Sequence, residues 1–139
     1  MLDKERILRR LSDIEYYNSL VGKMMPKSFN TYKNSNPIIK AAAERYLQLI
    51  SDIEFEILVQ IYKGLELGLA GDEGSLISKI ESKLGKKAID GFKRRRTLRN
   101  MLVHMYHTTD YDKDVFEQAI NLDDVGYFIK DVKNILSNA

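Results

Sequence analysis

The chain has 139 residues, 44% of them hydrophobic and 30% charged, with a formal net charge of +2 and no cysteine. That length suffices to bury a core in one domain spanning 1–139, and the composition is too apolar for a disordered chain. Lack of cysteine excludes disulfide frameworks, thiolate metal sites and cysteine nucleophiles, and no run approaches the roughly 18 apolar residues of a membrane span.

Met1-Leu2-Asp3-Lys4-Glu5-Arg6 contains no apolar h-region, so no secretory signal is expected and a soluble cytoplasmic protein without a membrane partner is the default. Ile7, Leu11, Ile14, Val21 and Met25 recur at helical spacing, widened by Leu8 and Leu20. They predict a first helix from about Leu2 to Met24, ended by Pro26. The polar stretch Lys27 to Ser35 has no period and is expected to be a loop.

Asn36-Pro37 is a helix-start signal, with asparagine as cap and proline in the first turn. Leu47, Ile50, Glu54, Ile57, Ile61, Leu65 and Gly68 then step along one side of a helix expected to reach Leu69. Ile53, Val59 and Leu67 widen its apolar arc, and it sets the long dimension of the molecule. Gly71-Asp72-Glu73-Gly74 is the turn that stops it.

Ser75 opens a shorter segment carrying Leu76, Ile77, Ile80 and Leu84, closed near Gly85. The next helix is expected from about Ala88 through Met105, with Leu98, Met101, Leu102 and Met105 as its core stripe. Thr108-Thr109-Asp110 punctuates the chain before a last helix, bent near Asn121, that carries Val125, Phe128, Ile129, Val132, Ile135 and Leu136. With no sustained alternation of period two, the fold class is all-α: an antiparallel bundle of four to five helices around one long central helix.

Charge is unevenly spread. Between Lys83 and Arg99 eight basic residues face one acid, Asp90, while between Asp110 and Asp131 seven acids face Lys113 and Lys130. A basic block followed by an acidic one is the asymmetry expected of a chain that meets a polyanion, although each block also reads as an ordinary solvated helix face. On the first reading Lys93, Arg94, Arg95 and Arg96 are candidate RNA-binding residues.

The segment from Arg99 to Tyr106 brings arginine, asparagine, histidine and tyrosine together within eight residues. Cleaving RNA without a metal requires a group of near-neutral pKa to move protons and a permanent cation to stabilise the phosphorane. Histidine suits the first task and arginine the second, so His104 and Arg99 are the candidate catalytic pair, with Asn100 as a supporting donor or acceptor. Five residues at 100° each set Arg99 and His104 about 140° apart on a straight helix. A distorted helix, the long arginine arm or a second subunit would each close that gap, and the second subunit would also line an RNA path with paired basic segments. His104 and His107 have metal-ligand spacing but no carboxylate suitably placed, so no metal is assigned. No serine elbow or glycine-rich phosphate loop is present.

Arg99-Asn100-x-Leu102-Val103-His104-x-Tyr106 resembles the R-x4-H-x-Y signature of HepT-like toxins in the HEPN superfamily, and Glu44-Arg45-Tyr46-Leu47-Gln48 resembles the family's E-R-x-L-Q helix. The resemblance runs from about Ala41 to Leu136 and implies a HEPN-like homodimer, a metal-independent endoribonuclease without a cofactor and with its cleft at the dimer interface. It implies Arg99 and His104 as the catalytic pair, and Asp52 and Glu56 as acids near the site. Tyr106 would be the residue that a cognate MntA-type nucleotidyltransferase antitoxin blocks with AMP. A HEPN-like dimer that partners such an enzyme without cutting RNA is the alternative. Lys93 to Arg96 stand where many members of the family are apolar.

Overall fold

The computed structural model describes residues 1–104 and 111–139. Among these residues there are seven α-helices, two 3-10 turns and no strand. No helix among them is long and apolar enough to cross a membrane. The Thr108-Thr109-Asp110 break and the core position of Met105 lie outside the described residues.

Helix α1 (Lys4–Met24) starts where Asp3 accepts the Arg6 amide at 3.1 Å, and it buries Ile7, Leu11, Ile14 and Val21 as the periodicity predicts. Leu8 falls outside that stripe and is 46% exposed. The aperiodic stretch 27–35 contains a short helix, α2 (Phe29–Lys33), in place of the expected loop. Its cap is Ser28, whose hydroxyl accepts the Thr31 amide at 3.2 Å, and its anchor is Tyr32, fully buried with its ring 5.8 Å from Phe116. Phe29, also 5.8 Å from Phe116, is a second anchor, and two aromatics in five residues are too short a pattern to read as a helix.

Helix α3 (Pro37–Gly64) begins at the expected cap, with Asn36 accepting the Ile38 amide at 2.8 Å. Its 28 residues span about 42 Å at 1.5 Å each. It ends five residues short of Leu69. Glu66 turns into the left-handed region (φ 54°), the Leu67 amide donates to the Tyr62 carbonyl at 3.2 Å and the Glu66 amide to Lys63 at 3.1 Å. These are the paired bonds of a Schellman stop, made here with a glutamate where glycine is usual. Gly64 permits close approach of the N-terminus: a Cβ there would stand 2.5 Å from Leu2 Cδ2 and 3.1 Å from its Cα.

Helix α4 (Glu73–Ile80) is capped by Asp72, which accepts the Ser75 amide at 2.7 Å, and runs into a 3-10 turn at Glu81–Lys83. Helix α5 (Lys86–His104) buries Ala88, Ile89, Phe92 and Leu98, with Met101 and Leu102 half-buried. The C-terminal segment is two helices, α6 (Asp112–Ile120) and α7 (Val125–Ser137), separated at Asn121 by a 3-10 turn over Leu122–Asp124. Leu122 is buried in that turn, and α7 buries Val125, Phe128, Val132 and Leu136.

Side-chain pairs fix the directions. Tyr17 stacks on Tyr46 at 5.7 Å while Arg10 reaches Glu56, so α1 runs antiparallel to α3. Arg99 meets Asp52 and Arg95 meets Glu54, so α5 is antiparallel to α3. Gly85 meets Asp131 and Phe92 stacks on Phe128 at 6.4 Å, so α7 is antiparallel to α5. The result is an antiparallel bundle with α3 between α1 and α5, as the patterning predicts, and with short helices added.

Candidate functional site

Successive residues of a helix point 100° apart, so the run Lys93 to Arg96 faces several directions at once. Arg95 faces the core. Its side chain is 3% exposed and grips Glu54, itself fully buried, through Nε to Oε1 at 2.8 Å and Nη2 to Oε2 at 2.7 Å. Asp124 takes its third edge. Burial pushes the Glu54 carboxyl above its ordinary value against the pull of Arg95. Burial acts to lower Arg95, but Glu54 and Asp124 outweigh it and hold the guanidinium charged. Gly91 makes room for this arrangement: a Cβ there would lie 2.5 Å from Asp124 Oδ2. Arg95, one of the candidate RNA-binding residues, is instead turned into the core, its fork consumed by Glu54 and Asp124, whereas Lys93 and Arg94 lie nearer solvent.

The other three are paired nearer solvent. Lys93 donates to Glu81 at 2.7 Å, and Arg94, 61% exposed, reaches Asp124 at 2.7 Å. Arg96 is 14% exposed, lies 4.4 Å above the Phe55 ring, meets Asp52 Oδ1 at 3.1 Å and is ion-paired to Glu73. Much of the basic block is thus answered within the chain, part of it by the acidic block that follows in sequence.

Arg99, one turn beyond Arg95, sits at the rim of the same helix. Its Nε donates to Asp52 Oδ1 at 2.8 Å, and its Nη1 makes a long 3.4 Å contact with Asn100 Oδ1. Both partners of the Asp52 pair stay accessible, Arg99 at 25% and Asp52 at 39%. A guanidinium anchored on one edge keeps its other donors for a phosphate. Of the residues expected to support the site, Asp52 and Asn100 lie beside Arg99.

Glu56 does not. It lies one turn along α3 from Asp52 but turns toward α1, where Arg10 Nε donates to it at 2.9 Å and Arg6 at 3.4 Å. Its partners belong to α1, so it ties α1 to α3. His104 is exposed. Since α5 is α-helical throughout Lys86–His104, the distorted-helix route is not taken, and His104 projects about 140° round from Arg99. Tyr106, the expected site of AMP transfer, and His107 lie outside the described residues.

The carboxylates that matter most here, Glu54 and Glu73, carry no motif. Glu54 had one signal: it stands among Ile50, Ile57 and Ile61, and an acid in an apolar stripe demands a buried cation. A second carboxylate, Glu44 of the E-R-x-L-Q helix, is also raised, by burial and by Asp112, with Lys40 opposing. Lys40 bridges to Asp112 at 2.9 Å, tying the start of α3 to α6.

No curated protein matches the chain. The cytosolic protein of unknown function YutE from Bacillus subtilis is similar in structure, with a TM-score of 0.80 at 16% identity over 99% of this chain and 92% of that one. A toxin–antitoxin crystallised with AMP-PNP has a TM-score of 0.75 at 18% identity, covering 92% of this chain and 97% of its own. At such identities these likenesses establish the fold. The family described as Ribonuclease HepT-like matches residues 7–132, a span that contains the Asp52–Arg99 pair and His104. The chain belongs to the HepT-like ribonuclease family.

Proposed function

We propose that this protein is the toxin of a toxin–antitoxin pair and acts as a metal-independent endoribonuclease. The observation that carries the reading is Arg99, anchored by Asp52 on an exposed helix rim with donors to spare, within the region that matches a ribonuclease family. In the reaction the substrate 2′-hydroxyl attacks the adjacent phosphorus and the 5′-oxygen leaves, producing a 2′,3′-cyclic phosphate. Arg99 stabilises the negative charge of the phosphorane, and His104 moves a proton at one of the two oxygens. The 140° between them is closed by two copies of the chain, each presenting Arg99 toward the other's His104. Lys93 and Arg94 then lead RNA toward the groove.

Regulation follows from the same rim. A cognate nucleotidyltransferase of the MntA type transfers AMP from ATP to the Tyr106 hydroxyl: the phenolic oxygen bonds to the α-phosphorus and pyrophosphate leaves. Tyr106 is seven residues from Arg99 in sequence, and the added phosphate competes with RNA for that arginine. The solved toxin–antitoxin with the same fold supports looking for such a partner.

Purified protein should cut RNA in the presence of EDTA and leave cyclic or 3′-phosphate ends. His104→Ala should lose at least about a hundredfold of that rate, the usual scale of general acid–base catalysis, while unfolding at the same temperature as the parent. Undiminished cutting by that variant removes the assignment. Tight binding to a nucleotidyltransferase with no cutting in any form favours the non-catalytic partner instead.

A further inference from the structure

Four charges of alternating sign cross three helices: Glu73 of α4, Arg96 of α5, Asp52 of α3 and Arg99 of α5. Arg96 is ion-paired to Glu73 and meets Asp52 Oδ1 at 3.1 Å, and that same oxygen accepts Arg99 Nε at 2.8 Å. Arg96 is the most enclosed member at 14% exposure, held over the Phe55 ring, whereas Glu73 and Asp52 are 37% and 39% exposed. One carboxylate oxygen therefore serves two guanidiniums, one of which is locked by a ring beneath it and by a second carboxylate.

We propose that Arg96 and Glu73 are positioning residues that set the aim and the effective charge of Arg99 through Asp52. The proposal rests on the RNA-cleaving reading for its consequence, though not for its geometry. Two properties follow. Asp52 meets Arg99 through the single oxygen it also offers to Arg96, so its contact occupies only Nε of Arg99 and competes with Arg96 for that oxygen. The set also sums to zero charge, so deleting one member leaves a net charge beside the place where a phosphate would lie. Without Arg96, two carboxylates face one arginine. Without the Glu73 charge, two arginines face one carboxylate.

The two substitutions should thus act in opposite directions. Arg96→Gln should weaken, and Glu73→Gln should tighten, the binding of a 2′-O-methyl RNA oligonucleotide, which cannot be cut, each by about two- to fivefold at low salt and less at high salt. Arg96→Lys restores the charge and should recover most of the lost affinity. A residue that merely holds α4 to α5 would weaken binding in both variants, and that outcome overturns the proposal.

A second measurement is independent of RNA. The Arg99 Nε–H resonance, identified by its loss in Arg99→Lys, should shift in both Glu73→Gln and Arg96→Gln. An unmoved signal overturns the coupling. If the signal moves but the parent neither binds nor cuts RNA, the relay stands and the ribonuclease reading falls.

Discussion

Helices α3 and α5 meet through two carboxylate–arginine pairs that are chemically alike and physically opposite. Glu54–Arg95 lies in the core with both side chains almost inaccessible, while Asp52–Arg99 lies at the rim with both accessible. Only one helical turn separates the two arginines. The buried pair is bidentate and is completed by Asp124, so every strong donor edge of Arg95 is spent inside the protein. The rim pair uses only Nε of Arg99, with Nη1 making a long contact to Asn100. Burial decides which arginine is structure and which is available for chemistry: a desolvated charge must be fully answered, whereas a half-solvated one need not be.

The contrast is broken most directly by removing the acids one at a time. Glu54→Ala should cost about 3–5 kcal/mol in urea unfolding, toward the lower figure because Asp124 still meets Arg95, since it strands a buried guanidinium. Asp52→Ala should cost less, about 1 kcal/mol, because Asp52 is itself solvent-screened and Glu73 still answers Arg96, yet it frees Arg99. Equal losses in the two variants would mean that burial does not separate the pairs.

Gly91→Ala tests the buried side from the backbone. Its methyl group would fall 2.5 Å from Asp124 Oδ2, so the carboxylate must retreat from Arg95. The expected loss is about 1–3 kcal/mol, against the gain of a few tenths to about 1 kcal/mol that alanine normally brings to a helix interior. A stabilised variant would show that Asp124 is dispensable to the pair.

Glu44, a third carboxylate on α3, supplies the smallest effect. Its pKa is raised in the fold by burial and by Asp112, so its contribution is fully present below the ordinary value of 4.5 and is lost as pH rises through the raised one. Glu44→Gln should therefore leave stability at pH 7 unchanged or higher by less than about 1 kcal/mol, and flatten the stability–pH curve just above 4.5. A steeper curve would reverse the sign assigned to burial there.

Much of this was legible in the chain because helix patterning and caps are local. Asn36-Pro37 marks the start of α3, and the stripes of α1 and α7 mark their core faces. The overrun to Leu69 arose because the stop uses Glu66 in a conformation that glycine usually signals, while Leu65, Leu67 and Leu69 keep the apolar rhythm going. Arg99 and Asp52 were legible as a motif and a family position. The roles of Arg95, Arg96 and Glu56 were not, since a linear run of charge cannot say which members turn inward, and their charged partners lie 23 to 50 residues away in sequence. Glu54 was visible as an anomaly in an apolar stripe, without its partner being nameable.

The antiparallel register of these pairs also acts as a lock on sliding. Arg95 and Arg99 are four residues apart on α5, whereas Glu54 and Asp52 are two apart on α3. No shift of one helix along the other by a whole turn superimposes one pair on the next. A slipped α5 would strand Glu54 without its cation or draw Arg99 off the rim. The core pair is thus a ruler for the rim, and it seats the helix independently of what surrounds Arg99.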